Sequence, residues 1–276
     1  MKIRNKITGL LAVILVASCA TNPFTGNQTM ALVSNDQLFP TAFQQYSQVL
    51  SENKIITGTS QSEMIKRVGQ RIASSAERWL NANGYQGYLE GYQWEYNLID
   101  DKSVNAWCMP GGKIAFYTGI LPIAENETAI AAIMGHEVAH ALANHGQQRM
   151  SAAYIQQGIA LAGNVFIEDD KTRDIFNQSY GIGTEVGLML PFSRSHETQA
   201  DEIGLILMAV AGYNPSEAAE LWKRMDANSG GQAPPEFLST HPANASRIEN
   251  LTSLVSRANA EAKKYGVASY RPLGKY

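Results

Sequence analysis

Apolar positions along this chain repeat with two different periods, and the change from one to the other marks out a small sheet followed by a helical half. Over 62–81, Met64, Ile65, Val68, Ile72 and Leu80 recur at helical spacing until Asn83-Gly84 stops the run, and 36–50 carries a weaker version of the same pattern. From 93 to 99 the period shortens: Trp94, Tyr96 and Leu98 share one side, as in a half-buried strand. Pro110-Gly111-Gly112 then turns the chain into a second short strand, Lys113 to Tyr117, which Gly119 ends. Helical patterns predict helices over 125–144, 151–163, 196–211, 215–226 and 243–265, the first with Glu125 and Glu127 where a helix dipole favours acids. The glycine-punctuated stretch 180–190 fits a mobile cover or loosely packed helix equally well, and 230–239 reads as a Pro/Gly loop. The expected fold is α+β and mostly helical, with a small β-sheet ahead of the 125–144 helix. Neither a repeat nor a linker interrupts 36–276, so that stretch is expected to be a single domain.

Ahead of this domain the pattern is of another kind. Lys2, Arg4 and Lys6 precede an apolar run from Ile7 to Ala17, and the whole has the parts of an export signal over residues 1–18, too short to span a bilayer comfortably. Val16-Ala17-Ser18-Cys19 resembles a bacterial lipobox, in which lipidated Cys19 becomes the new N-terminus. Acyl chains on Cys19 would hold the protein at a membrane through residues 19–35, which lack a helical period and read as a tether. Ala20 rather than aspartate follows the cysteine, which points to the outer membrane facing the periplasm over the inner membrane.

Composition narrows the function classes. The chain has 276 residues and a net charge of −3; without residues 1–18, 19 basic residues face 25 acidic ones. No basic run offers a footprint for nucleic acid. Of the two cysteines only Cys108 would remain beside the lipidated one, so a disulfide scaffold and a cysteine-built structural zinc site are both excluded.

One constellation carries chemistry. His136-Glu137-Val138-Ala139-His140 lies inside the 125–144 helix, where residues four apart share a face, so both imidazoles can approach one cation while Glu137 stands beside them. Zinc is the expected ion, one per chain, because it combines Lewis acidity with an open fourth position. A third ligand must come from elsewhere. A histidine ten residues after the first is ruled out because that position is Gly146; the alternative is a glutamate on a second helix, and Glu197-Thr198-Gln199-Ala200-Asp201 supplies one.

With that segment the chain resembles the M48 zinc metallopeptidase family. The likeness covers residues 105–250: Asn105-Ala106 with Pro110-Gly111-Gly112, the HExxH helix continued by His145-Gly146, Ser193-Arg194 through Glu197 to Asp201, and His241-Pro242 followed by Arg247-Ile248. The resemblance implies a zincin-type domain in which His136, His140 and Glu197 hold zinc and Glu137 is the general base. It places Asp201 behind a ligand histidine. It puts His241 near the open metal position, where it stabilises the tetrahedral intermediate or occupies the site at rest, and Arg247 against buried acids of the site such as Asp201. His145 and His196 are expected to stay outside the cluster, His196 exposed. Since no apolar run reaches eighteen residues, the likeness is to the soluble lipoprotein-type branch, with the OMA1-like and periplasmic assembly-factor proteases.

The resemblance therefore implies a zinc endopeptidase of the cell envelope that hydrolyses unfolded or misassembled proteins without a covalent intermediate. An extended substrate is expected to add itself along the strand Lys113, Ile114, Ala115, Phe116 and Tyr117. The competing class is a chaperone-like or protein-binding module whose metal site is silent or autoinhibited.

Overall fold

A computed structural model describes residues 19–166, 169, 193–228, 236–242 and 244–274. The export-signal segment, the 180–190 stretch and much of the 230–239 loop lie outside these residues. The described parts fall into two compact units, one from Met1–Ser34 with Asn144–Leu190 and one from Asn35–Ala143 with Pro191–Tyr276.

In the first unit, β1 (Cys19–Thr21) pairs antiparallel with β2 (Gln28–Met30). No period marks this stretch because three-residue strands are too short to show one. Asn22 organises the connection: its side chain accepts from the Phe24 amide and its carbonyl from the Gly26 amide. The long helix α5 (His145–Phe166) belongs to the same unit and starts earlier than its alanine-rich pattern implied. There Ser151 Oγ accepts from the Leu32 amide.

The second unit holds the sheet and the remaining helices. Helix α1 (Asn35–Glu52) and helix α2 (Ser60–Ala82) flank the two-residue strand β3 (Ile55–Ile56). Thr59 and Ser62 form a reciprocal capping box at the start of α2, satisfying donors that helix geometry leaves open. Strands β4 (Glu95–Ile99), β5 (Ala106–Met109) and β6 (Lys113–Tyr117) complete a four-stranded sheet in the order β3-β4-β6-β5. β4 and β6 run parallel, from Glu95 opposite Lys113 to Ile99 opposite Tyr117; β5 and β6 form an antiparallel hairpin. The hairpin turn needs its glycines twice over. Gly111 and Gly112 have φ of 83° and 89°, and a Cβ on either would lie 2.5–2.6 Å from the Phe43 or Trp94 ring.

This order corrects one expectation. Lys113–Tyr117 is an interior strand, hydrogen-bonded on both sides and buried from Lys113 to Phe116, so it has no free edge for a substrate. Among the described residues the edges are the two-residue β3 and β5, whose four residues are too few to have shown a period.

After β6 a 3-10 turn (Thr118–Ile120) and the short α3 (Leu121–Ala124) lead into α4 (Glu127–Leu142). All residues from Thr128 to Leu142 are buried, so α4 is a central helix covered on every side. Asn126 caps it, accepting from the Ala129 amide at 2.8 Å while its own amide donates to Glu217. Helix α6 (Arg194–Val210) packs on α4, followed by α7 (Ser216–Asn228), the short α8 (Glu236–Thr240) inside the segment read as a loop, and α9 (Ala245–Lys264). No helix among the described residues is long and apolar enough to cross a membrane.

Two glycines set the approach of α4 to α6. A Cβ on Gly135 would lie 2.8 Å from the Gly204 carbonyl oxygen, and one on Gly204 would lie 2.9 Å from Gly135 C and His136 N. Backbone therefore meets backbone here, closer than any side chain allows.

The start of α4 is fixed by charge. Glu127 accepts from Arg67 and Arg71, the latter at 2.9 Å, and from the Tyr213 hydroxyl at 2.8 Å. Burial pushes its carboxyl up, but the Arg67 and Tyr213 hydrogen bonds and the two guanidinium charges bring it below the ordinary carboxylate value. With a depressed folded-state pKa, this group's stabilisation is fully present above the unfolded pKa of about 4.3 and is lost as pH falls through the lower folded value. Because the arginines are partly solvated, Glu127→Gln is expected to cost only about 1–2 kcal/mol at pH 7. Urea unfolding of both proteins checks this, and the difference should shrink below about pH 4.

Candidate metal centre

The site forms where α4 and α6 run past each other in opposite directions. Going outward from the glycine contact, Asp201 meets His136 and Glu197 meets both His136 and His140. Residues four apart on one helix thus face residues four apart on the other, each pair on a single helical face. Ser193 caps α6 by accepting from the His196 amide, placing Glu197 in the first turn.

Four donor residues converge: His136, His140, Glu197 and His241, all buried, with one ligand atom from each within 4.8 Å of the others. His136 Nε2 lies 3.1 Å from His140 Nε2, 3.2 Å from His241 Nδ1 and 3.5 Å from Glu197 Oε2. His140 Nε2 is 3.3 Å from Glu197 Oε1, and His241 Nδ1 is 2.9 Å from the same oxygen. A tetrahedral ion with legs of about 2.0–2.1 Å has edges of about 3.3 Å, so these separations and the nitrogen-and-carboxylate donor set fit zinc. Among the described residues they make one such site per chain.

Glu137 is arranged differently. Its Oε1 is buried without a hydrogen-bond partner among the described residues, 3.5 Å from His241 Nε2. Burial raises its pKa above the ordinary carboxylate value, while the nearby histidines pull it the other way. A buried carboxylate with one oxygen free of hydrogen bonds beside a metal cluster is placed to take a proton rather than to stabilise the fold.

Behind the donors lies a second layer of charge. Asp201 Oδ1 is 3.0 Å from His136 Nδ1, which leaves His136 Nε2 facing the cluster. Arg247 grips Asp201 in a two-pronged bond, Nε to Oδ2 at 2.8 Å and Nη2 to Oδ1 at 2.7 Å, and its Nη1 reaches Glu197 Oε2 at 2.8 Å. Asn244 caps α9 by accepting from the Arg247 amide, and the guanidinium carbon stands 3.6 Å above the centre of the Trp222 ring. Trp222 and Phe237 were not anticipated as part of the site. Trp222 lies in the apolar stripe of α7 with Ala218, Leu221 and Met225, a pattern that reads as ordinary core. Phe237 stacks on Trp222 and packs 4.8 Å from the His241 ring. The Phe237 amide donates to the Val104 carbonyl, tying α8 to the chain just ahead of β5.

These surroundings set the charge states of the protein alone. Burial pushes the Glu197 carboxyl up, but hydrogen bonds from His136, His140 and His241 outweigh it and hold it below the ordinary value. For Asp201, Arg247 and His136 likewise outweigh burial. Burial would lower His136, yet its bonds to Asp201 and Glu197 raise it to about 9. For His140 burial prevails and its pKa falls well below that of free histidine. Both acids are thus held as carboxylates, the form a cation requires.

Of the other residues singled out in the sequence, His145 opens α5, is fully buried and is not one of the four donors. His196 is half-buried rather than exposed, because the first turn of α6 packs on one side, and it too lies outside the donor set. Cys108 is a free thiol on β5, raised above its ordinary pKa by burial and by the charge of Glu137.

A mostly helical fold with a small preceding sheet, a fully buried HExxH helix and a buried donor cluster completed by a glutamate on an antiparallel neighbour is the arrangement of the zincin-type metallopeptidases. The chain matches the model of peptidase family M48 over residues 60–255 and belongs to that family. It is 37% identical over 178 residues to the mitochondrial metalloendopeptidase OMA1 of Saccharomyces cerevisiae, covering 62% of this chain and 50% of the yeast protein. It is 33% identical over 190 residues to the Arabidopsis thaliana protein of the same name, covering 69% and 36%. The beta-barrel assembly-enhancing protease of Yersinia pestis is 24% identical over 266 residues, covering 92% and 52%. The chain spans about half the length or less of these relatives.

If Asp201 orients His136, Asp201→Asn should weaken zinc affinity about 10- to 100-fold in chelator competition with little change in helix content. Unchanged affinity would mean that the Asp201–His136 contact does not act on the ion.

Proposed function

We propose that this protein is a lipid-anchored zinc endopeptidase of the cell envelope that hydrolyses peptide bonds in unfolded or misassembled proteins. The observation that carries the peptidase reading is the Glu137 Oε1, buried without a hydrogen bond, beside the four-donor cluster. Zinc held by His136, His140 and Glu197 would supply a Lewis acid that polarises the scissile carbonyl and makes water acidic enough to attack near neutral pH. Glu137 accepts the proton released by the attacking water and returns it to the leaving amine, a task suited to a carboxyl whose pKa burial has raised. Asp201 and Arg247 keep His136 and Glu197 aimed throughout.

For His241 the geometry favours the resting-state role. Its Nδ1 lies 3.2 Å from His136 Nε2 and 2.9 Å from Glu197 Oε1, close enough to occupy the position a substrate carbonyl would need. In this reading His241 must move aside for substrate to bind. The substrate-pairing role expected of Lys113–Tyr117 passes to β5, an edge strand, against whose outer side no described strand pairs. Backbone pairing there would select extended, unfolded chains with little demand on side chains.

Envelope placement rests on the lipobox-like Val16–Cys19 and the basic-then-apolar segment ahead of it. The likeness to a protein named for enhancing beta-barrel assembly favours outer-membrane proteins as substrates and the periplasmic face as the place of action.

Purified full chain in detergent is expected to carry about one zinc and to cleave unfolded casein. Glu137→Gln should keep the metal and lose at least about 100-fold in rate. Binding of casein without cleavage by either protein would favour the protein-binding module. His241→Ala is expected to raise the initial rate several-fold; a fall in rate would instead assign His241 to the reaction itself.

A further inference from the structure

We propose that a second site, built from arginines on α2 and the C-terminal tail, binds a phosphate-bearing anion. A cavity of about 330 Å³ is lined by Arg67, Gln70, Arg71, Ser74 and Arg78 of α2, with Arg271 and the end of α6 opposite, and none of these residues belongs to the metal cluster. On α2 these positions fall at i, i+3, i+4, i+7 and i+11, one face of the helix.

The charge count is lopsided. Among the described residues, four guanidinium groups line the cavity and only Arg67 and Arg71 are ion-paired, both to Glu127, with Glu63 also near Arg67. Arg78 and Arg271 make no ion pair among the described residues. Arg78 donates to the Tyr265 carbonyl at 2.9 Å and stands over the Tyr265 ring; Arg271 stands over the Tyr213 ring, and its amide donates to the Gly212 carbonyl at 3.0 Å. Both are exposed but held in place by neutral groups, so part of the ordering cost of binding an anion is already met. The C-terminal end of α6 contributes at most about half a negative charge, so the lining of the cavity stays positive. This lies in a protein whose net charge is −3, so the field is local and does not reflect a basic surface in general.

The chemistry selects the ligand class. A single carboxylate would neutralise only one of these charges. A phosphate monoester or pyrophosphate brings two or more negative charges and enough acceptor oxygens for several guanidinium forks, the pairing for which arginine is better suited than lysine. Ser74, exposed on the rim, adds a hydroxyl donor, whereas the Ser75 hydroxyl is committed to the Ile72 and Leu207 carbonyls. Such a group occurs free in solution or on a lipid headgroup, and the cavity recognises it in either form.

Calorimetry on the full chain in non-ionic detergent, with inorganic phosphate and pyrophosphate as probes, tests the site. Flotation with phosphatidylcholine vesicles, with and without phosphatidic acid, separates the two sources. Pyrophosphate is expected to bind saturably at about one per chain, and Arg78→Gln with Arg271→Gln should weaken it about tenfold or more while zinc content and thermal midpoint hold. Arg271→Lys should recover only part of that loss, since it restores charge without the fork. A preference for phosphatidic acid that the double variant loses would identify a headgroup as the source. Equal binding to both vesicles, with pyrophosphate still bound, would identify a soluble phosphate compound. Absence of saturable pyrophosphate binding, or binding that the double variant leaves unchanged, overturns the proposal.

Discussion

Everything at the metal centre depends on how closely α4 and α6 approach, and that distance is set where Gly135 meets Gly204 with no side chain between them. Two helices separated by ordinary side chains pack about 8–10 Å apart. A metal ion with legs of about 2 Å needs donor atoms held about 3.3 Å apart, and a close approach of the two backbones brings short side chains within that reach. With backbone against backbone, His136 is already beside α6, one residue along from the contact. The reach of one glutamate and one aspartate side chain is then enough to join the two helices around the donors.

The second constraint is charge in a buried place. Glu137, Glu197 and Asp201 are all removed from water, where an unmatched carboxylate is costly. Arg247 offsets this by binding Asp201 with two bonds and Glu197 with a third, and Trp222 covers its exposed face. The fold therefore neutralises the acids that orient the site and leaves Glu137 Oε1, the atom assigned to proton transfer, without a partner. Stability and reactivity are separated between neighbouring carboxylates by which of them the arginine reaches.

How much of this the sequence disclosed follows from how local each feature is. The HExxH spacing lies within a single helix, so 3.6-residue periodicity was enough to place His136, Glu137 and His140 together. Glu197 and His241 come from other elements, and only the resemblance to M48 peptidases brought them to the same place. Strand Lys113–Tyr117 was legible, but its position in the interior of the sheet depends on β5, a four-residue strand without a period, and edge or interior is a property of the sheet as a whole. Gly135 and Gly204 left no signal at all: a glycine in a helical pattern looks like a weak helix position until its opposite number is known. Arg78 and Arg271 are 193 residues apart in sequence, and each alone reads as a solvated surface charge.

The account is tested most directly by zinc affinity in a graded series at the helix contact, Gly204→Ala and Gly204→Val in the full chain, with far-ultraviolet circular dichroism as the check on folding. The account predicts that helix content is largely kept while affinity falls stepwise with side-chain size, because each added group pushes Glu197 away from His136 and His140. Affinity equal to that of the native protein in a folded Gly204→Val variant would show that the glycine contact does not set the site.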